Sequence, residues 1–332
     1  MVQPFVRELF ADVEKSDAFR RALPPLREGA GRIRVAGLTP TAKSLHLPLL
    51  RRAAQKPLLL IVRDNSAAEA LLPVVRAACE LTGAVEPATA IALPAYDVLP
   101  FENQSPHPEI QEERAAALWK IATGAAEIVI APIESALLRM RPPEQYAALA
   151  RTLRRGETVD SDRLVEHLNL VGYVKVDVVE MPGQYAVRGG ILDVYTPEMD
   201  RPVRAEFFGD EIESLRKFDP ASQRSQNALD EAVLLPLTET AVSEETLAAI
   251  HTRLSGGRIT GAEATVEQAV VAGGVTVFPG WELYAPVAGA SATLLDLLPE
   301  AVVFVDEPSA VAQELDAFWE KLEQTHEQSG VG

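Results

Sequence analysis

QYAVRGGILDVYTPEMDRPVRAEFFGDEIESLRKFD, residues 184–219, decides how the middle of this chain folds. Together with VKVDVVEMPG just before it, the stretch is a quick succession of β-like runs joined by Gly and Pro turns, the pattern of antiparallel hairpins. FGDE places a two-residue Gly209-Asp210 turn between strands, setting Phe208 opposite Glu211 and Phe207 opposite Ile212. Side chains alternate along a strand, so Val203, Ala205 and Phe207 share one face and Arg204, Glu206 and Phe208 the other, together with Glu211 and Glu213. A phenylalanine on a charged face, four residues from an arginine, has the composition of an interface hot spot. A scattered surface aromatic, with Arg204 paired to Glu206 or Glu213, fits the same residues.

On either side of this stretch the grammar differs. From residue 30 onward RIRVAGL, PLLLIVRD, ATAIALPA and EIVIAP alternate with helical patterns at 66–81 and 108–121, which predicts a parallel sheet flanked by helices. Trp119 and Cys79 fall at core positions of those helices. RTLRRGETVD and a short helix, SDRLVEHLNLVGY, lead into the hairpins, and LLPLTET leads out. The predicted domains are therefore 1–149, an α/β unit; 150–235, hairpin-rich; and 236–332, where helical patterns return. In the last segment TGAE at 260–263 resembles a capping box, AVVFVDEP reads as a strand, and the final helix ends in a polar tail, from which a segment of something longer is expected.

Composition bounds the function. The chain has 332 residues, 47% of them apolar, enough for two or three cores. Its net charge of −17 repels a phosphate backbone unless basic residues cluster, so little or no DNA binding is expected. One cysteine excludes a disulfide framework and any multi-cysteine metal site. No run approaches the ~20 apolar residues that span a bilayer, and the N-terminus carries no targeting pattern, so a cytoplasmic protein is expected.

GLTPTAKS, residues 37–44, is one residue from a P-loop, G-x-x-x-x-G-K-[ST]. Gly37, Lys43 and Ser44 are in place, and Asp306-Glu307 after an apolar strand resembles a magnesium-holding acidic pair. Ala42, however, puts a Cβ where the second glycine belongs, and Pro40 removes an N–H from the segment that should wrap the phosphates. The expectation is an inactive nucleotide loop, with Thr39 or Thr41 capping a helix; a nucleotide-binding helicase fragment is the rival.

The runs LPAYDVLPFENQSPHPEIQEERAAALWKIATGAAEIVIAPIESALLRMRPPEQY and GQYAVRGGILDVYTPEMDRPVRAEFFGDEIESLRKFDPASQRS resemble the N-terminal region of the bacterial transcription-repair coupling factor family, Mfd. The second run and ATLLDLLPEAVVFVDEPSA are also similar to the excision-repair helicase UvrB. The resemblance implies a UvrB-like module, in which domain 1a at 1–149 and domain 1b at 236–332 complete one degenerate helicase-like α/β unit around an inserted domain 2 at 150–235, without ATP binding, cofactor or catalysis. The motor, and the contacts with RNA polymerase and upstream DNA, would lie in later domains. It implies UvrA as the partner, met through Arg188, Arg204 and Phe208. Arg188 equally fits a turn residue paired with Asp193. The aromatic hairpin with which UvrB clamps DNA would follow AYDVLPFE, where this chain runs directly into a helix.

Overall fold

The computed structural model describes residues 4–28, 32–241, 243–256, 270–272, 275–289 and 291–329; the capping-box reading at 260–263 lies outside them. Two compact units interleave along the chain. One takes Met1–Ala95, Lys120–Met140 and Ala292–Lys321, the other Tyr96–Trp119, Arg141–Ser291 and Leu322–Gly332. No described helix is long and apolar enough to cross a membrane.

The first unit is built on a four-stranded parallel sheet in the order Val302–Val305, Leu58–Val62, Ile128–Pro132, Ala90–Ala92. Every residue of Leu58–Val62 and Ile128–Pro132 is buried, as the unbroken apolar runs LLLIV and IVIAP require of parallel strands covered on both faces. The helices Pro40–Ala54 and Asn65–Thr82 supply much of that cover, through Leu47, Leu50, Leu71, Val75 and Cys79. Asp64 caps the second helix by accepting the Ala67 N–H at 2.8 Å, and Gly83, at φ +59°, ends it.

One expected strand is absent. RIRVAGL is not part of any ladder, and residues 32–37 are exposed with no regular structure. Alternation is a local pattern, whereas a strand needs a ladder partner, and this stretch makes none among the described residues.

The second unit carries a six-stranded sheet, in the order Ser225–Leu229, Glu211–Phe218, Val203–Phe208, Ile191–Val194, Gln184–Arg188, Val174–Lys175. All pairs are antiparallel except the last. VKVDVVEMPG thus contributes only a two-residue strand. One sheet face is a core of Tyr185, Leu192, Val194, Val203, Ala205, Ile212 and Leu215, closed by Leu164 and Leu168 of the helix Ser161–Leu170. A separate pair, Arg151–Arg154 with Glu231–Leu234, adds Leu153 and Leu234 to that core. The helix Pro108–Ala122 buries Ala116, Leu118 and Ile121, while Trp119 is half-buried.

The same unit holds an ion pair that the sequence did not announce. Arg114, almost wholly buried, donates to Glu239 at 2.8 Å and lies 4.2 Å over the Tyr96 ring. Tyr96 in turn donates its hydroxyl to Glu239 at 2.6 Å.

Candidate functional site

The GLTPTAKS loop folds onto itself. Pro40 occupies the first position of the helix Pro40–Ala54, where a missing N–H costs nothing. Thr39 is the N-cap: its hydroxyl accepts the Ala42 N–H at 3.3 Å and its carbonyl the Lys43 N–H at 2.9 Å. Ser44 is buried and donates its hydroxyl to the Pro40 carbonyl at 2.9 Å. Lys43 reaches Asp306 Oδ1 at 2.5 Å and Glu307 Oε1 at 2.6 Å. Partial burial opposes the charge on Lys43, but the hydrogen bonds to both carboxylates outweigh it and raise the lysine's pKa. The hydrogen bond from Lys43 likewise lowers the Glu307 pKa. Helix N–H, lysine and hydroxyl, the three groups a working loop turns toward nucleotide and Mg²⁺, each have a partner inside the chain.

The second candidate is one end of the six-stranded sheet. Phe208 lies opposite Glu211 and Phe207 opposite Ile212, the register that the Gly209-Asp210 turn implies. Phe207 faces the core and is half-buried, whereas Phe208 is 80% exposed. The register shifts between Glu206 and Phe207, because Glu206 pairs with Ser214. Glu213 is therefore the extra residue of a β-bulge, not a ladder neighbour of the Arg204 set. The Gly189-Gly190 turn sits at the same end. The Phe207 N–H donates to the Gly190 carbonyl at 2.7 Å, and a Cβ on Gly190 would stand 2.9 Å from the Phe207 carbonyl oxygen. Only glycine allows that approach, which brings Arg188 and Phe208 to one rim.

Behind the rim lies Asp193, with no exposed side-chain surface. It is the cross-strand neighbour of Ala186 on one side and Arg204 on the other. Arg204 donates Nε to Asp193 Oδ1 at 2.7 Å and Nη2 to Oδ2 at 2.8 Å. Arg188 donates Nη2 to Oδ2, also at 2.8 Å. The pairing of Arg204 with Glu206 or Glu213 expected from the hairpin alone does not form. Glu206 accepts from the Ser214 hydroxyl instead, at 2.7 Å, and the buried carboxylate on the other neighbouring strand takes the guanidinium. The hydrogen bond to Asp193 raises the Arg204 pKa above its ordinary value. The structure thus gathers Arg188, Arg204 and Phe208 at one end of one sheet, forms the Arg188–Asp193 pair that the sequence offered, and adds Arg204 to the same carboxylate. An aspartate within the apolar strand ILDV was the available signal, since a buried carboxylate requires partners.

The UvrB interaction domain family matches residues 152–239, the segment holding this sheet. The chain is similar to transcription-repair-coupling factors. That of Myxococcus xanthus is 32% identical over 320 residues, 93% of this chain and 26% of the relative. That of Bacillus subtilis is 29% identical over 257 residues, 77% and 21% of the two chains. That of Haemophilus influenzae is 31% identical over 241 residues, 72% and 21%. The chain spans about a quarter or less of the length of these relatives.

Proposed function

Because this chain is homologous to transcription-repair-coupling factors and carries a UvrB interaction domain, we propose that it is a UvrB-mimicking adaptor that recruits UvrA. In the full-length protein, recruitment would follow displacement of a lesion-stalled RNA polymerase, by motor domains that contact the polymerase and upstream DNA and lie outside this segment. We assign it domains 1a, 2 and 1b at 1–149, 150–235 and 236–332. No catalysis, cofactor or metal is assigned to them, and the setting is the cytoplasm.

One observation carries the reading. Within the matched domain an 80% exposed phenylalanine shares a rim with an arginine anchored on a buried carboxylate. An exposed aromatic beside a preoriented arginine is what a desolvated interface centre is made from. The rival, a nucleotide-binding helicase fragment, asks Lys43 to give up two carboxylates and Ser44 to turn from its own helix.

The test is a binding isotherm of this chain with purified UvrA, beside a titration with fluorescent ATP and Mg²⁺. Saturable UvrA binding, lost in Arg188→Glu, supports the adaptor. Micromolar nucleotide binding with no UvrA binding would replace it with the rival.

A further inference from the structure

The two arginines on Asp193 are not equivalent. Arg204 has all three guanidinium nitrogens engaged, since Nε and Nη2 hold Asp193 and Nη1 donates to the Gln223 carbonyl at 3.2 Å. Its planar face lies 4.5 Å from the centroid of the buried Phe218 ring, and only 14% of its side chain is exposed. Arg188 uses Nη2 alone, is 48% exposed, and its Nε and Nη1 have no partner among the described residues.

Resting on the UvrA-recruiting reading, we propose that Asp193 is a positioning residue of the recruitment surface: Arg204 serves UvrA through Asp193 without touching it, and Arg188 alone presents a free guanidinium edge, to a carboxylate of UvrA.

A buried carboxylate left alone is expensive, and two parallel N–H donors from one planar fork satisfy it in a fixed orientation. Arg204 supplies that fork and is itself fixed by the Gln223 carbonyl and Phe218. Asp193 then retains a lone pair on Oδ2, aimed at the rim, and Arg188 occupies it. One carboxylate between two guanidiniums leaves a positive charge, and the exposed member carries it where a partner can reach. Holding Arg188 on Asp193 before UvrA arrives removes part of the rotamer cost of ordering a long side chain on association.

A double-mutant cycle against UvrA separates positioning from contact. Arg188→Ala is expected to weaken binding by about ten- to a hundredfold, the worth of a hydrogen bond to a charged group. Arg204→Gln is expected to weaken it comparably in the wild-type background and by less than about twofold when Arg188→Ala is already present. A further loss of about tenfold in that background would show Arg204 touching UvrA and overturn the proposal. Arg204→Lys keeps the charge without the fork and guards against a variant that fails to fold. In the free chain, ¹⁵N relaxation of the Arg188 Nε–H reads the same point without UvrA: ordered in the wild type, mobile in Arg204→Lys and in Asp193→Asn. If Arg188 stays equally ordered in both variants, Asp193 does not position it. If the wild-type chain shows no UvrA binding, the recruitment reading falls and takes the partner half of this proposal with it, while the relaxation data still decide whether Asp193 orders Arg188.

Discussion

Phe208→Ala is expected to separate binding from folding. Phe208 is 80% exposed, so of the roughly 200 Å² of an aromatic side chain about 160 Å² remains to be covered by a partner. At ~25 cal/mol per Å² that area is worth about 4 kcal/mol, an upper bound because association also costs ordering and desolvation. A loss of about 2–3 kcal/mol in UvrA binding, roughly 30- to 150-fold in Kd, is the expected result. Folding stability should move by less than about 0.5 kcal/mol, as for any exposed side chain. Phe207→Ala is the internal control. Phe207 faces the core but is only half-buried, so its loss should cost about 2 kcal/mol of stability, below the roughly 3–5 kcal/mol of a fully buried phenylalanine. Isothermal titration with UvrA and urea unfolding, run on both variants, give the four numbers. Unchanged UvrA affinity in a folded Phe208→Ala would place the recruitment surface elsewhere. Loss of folding in Phe208→Ala together with loss of UvrA alone in Phe207→Ala would refute the register.

Ala42→Gly alone should not create Mg²⁺-ATP binding measurable by fluorescence, because Pro40 still lacks an N–H and Lys43 still faces Asp306 and Glu307. Lys43→Ala should leave UvrA affinity unchanged. Glu239→Gln removes a carboxylate from the buried Arg114 and should destabilise the chain by about 3 kcal/mol in chemical denaturation. Asp219 accepts the Ser222 N–H and hydroxyl and Arg201 Nη1, and these bonds, the Ser222 N–H first, bring its pKa down to about 2. A depressed carboxylate stabilises above its unfolded pKa, so this contribution is full above about pH 4 and fades as pH falls toward 2; a carboxyl ¹³C titration midpoint near 4 would contradict it. The isolated chain should give no submicromolar complex with duplex DNA in a fluorescence-anisotropy titration at ~150 mM salt. It carries a net charge of −17, and residues 150–235, with 11 basic and 16 acidic residues, offer no positive excess.

The elements that could be read from the sequence are those whose determinants lie within a few residues. The hairpin at 203–218 is set by its Gly209-Asp210 turn and by two-residue alternation, and the turn-proximal register came out as expected. The buried parallel strands are set by unbroken apolar runs. RIRVAGL and the middle of VKVDVVEMPG carry a comparable local pattern, yet form no strand there, because the hydrogen bonds that would make one depend on an edge the sequence does not specify. The bulge at Glu213 escaped for a related reason: no glycine marks it, and it appears only once both strands are laid side by side.

The site shows the same limit more sharply. Within its hairpin Arg204 has acidic neighbours at Glu206 and Glu213, and an exposed pair with either would be worth about 0–1 kcal/mol. Asp193 lies eleven residues earlier, across a turn whose register the hairpin does not report. Its side chain is fully buried in the folded sheet, where an unpaired carboxylate would cost several kcal/mol. The group with the most to lose therefore sets the pairing: Arg204 goes to the carboxylate that cannot do without it, and Glu206 settles for the Ser214 hydroxyl. Lys43 illustrates the point at longer range, drawn to carboxylates more than 260 residues away by the parallel sheet that carries them. Resemblance could name Arg188, Arg204 and Phe208 as a set, and alternation could place the last two on one face. Dividing them into one that is held, one that is offered and one that is exposed required knowing which neighbour the buried carboxylate would claim.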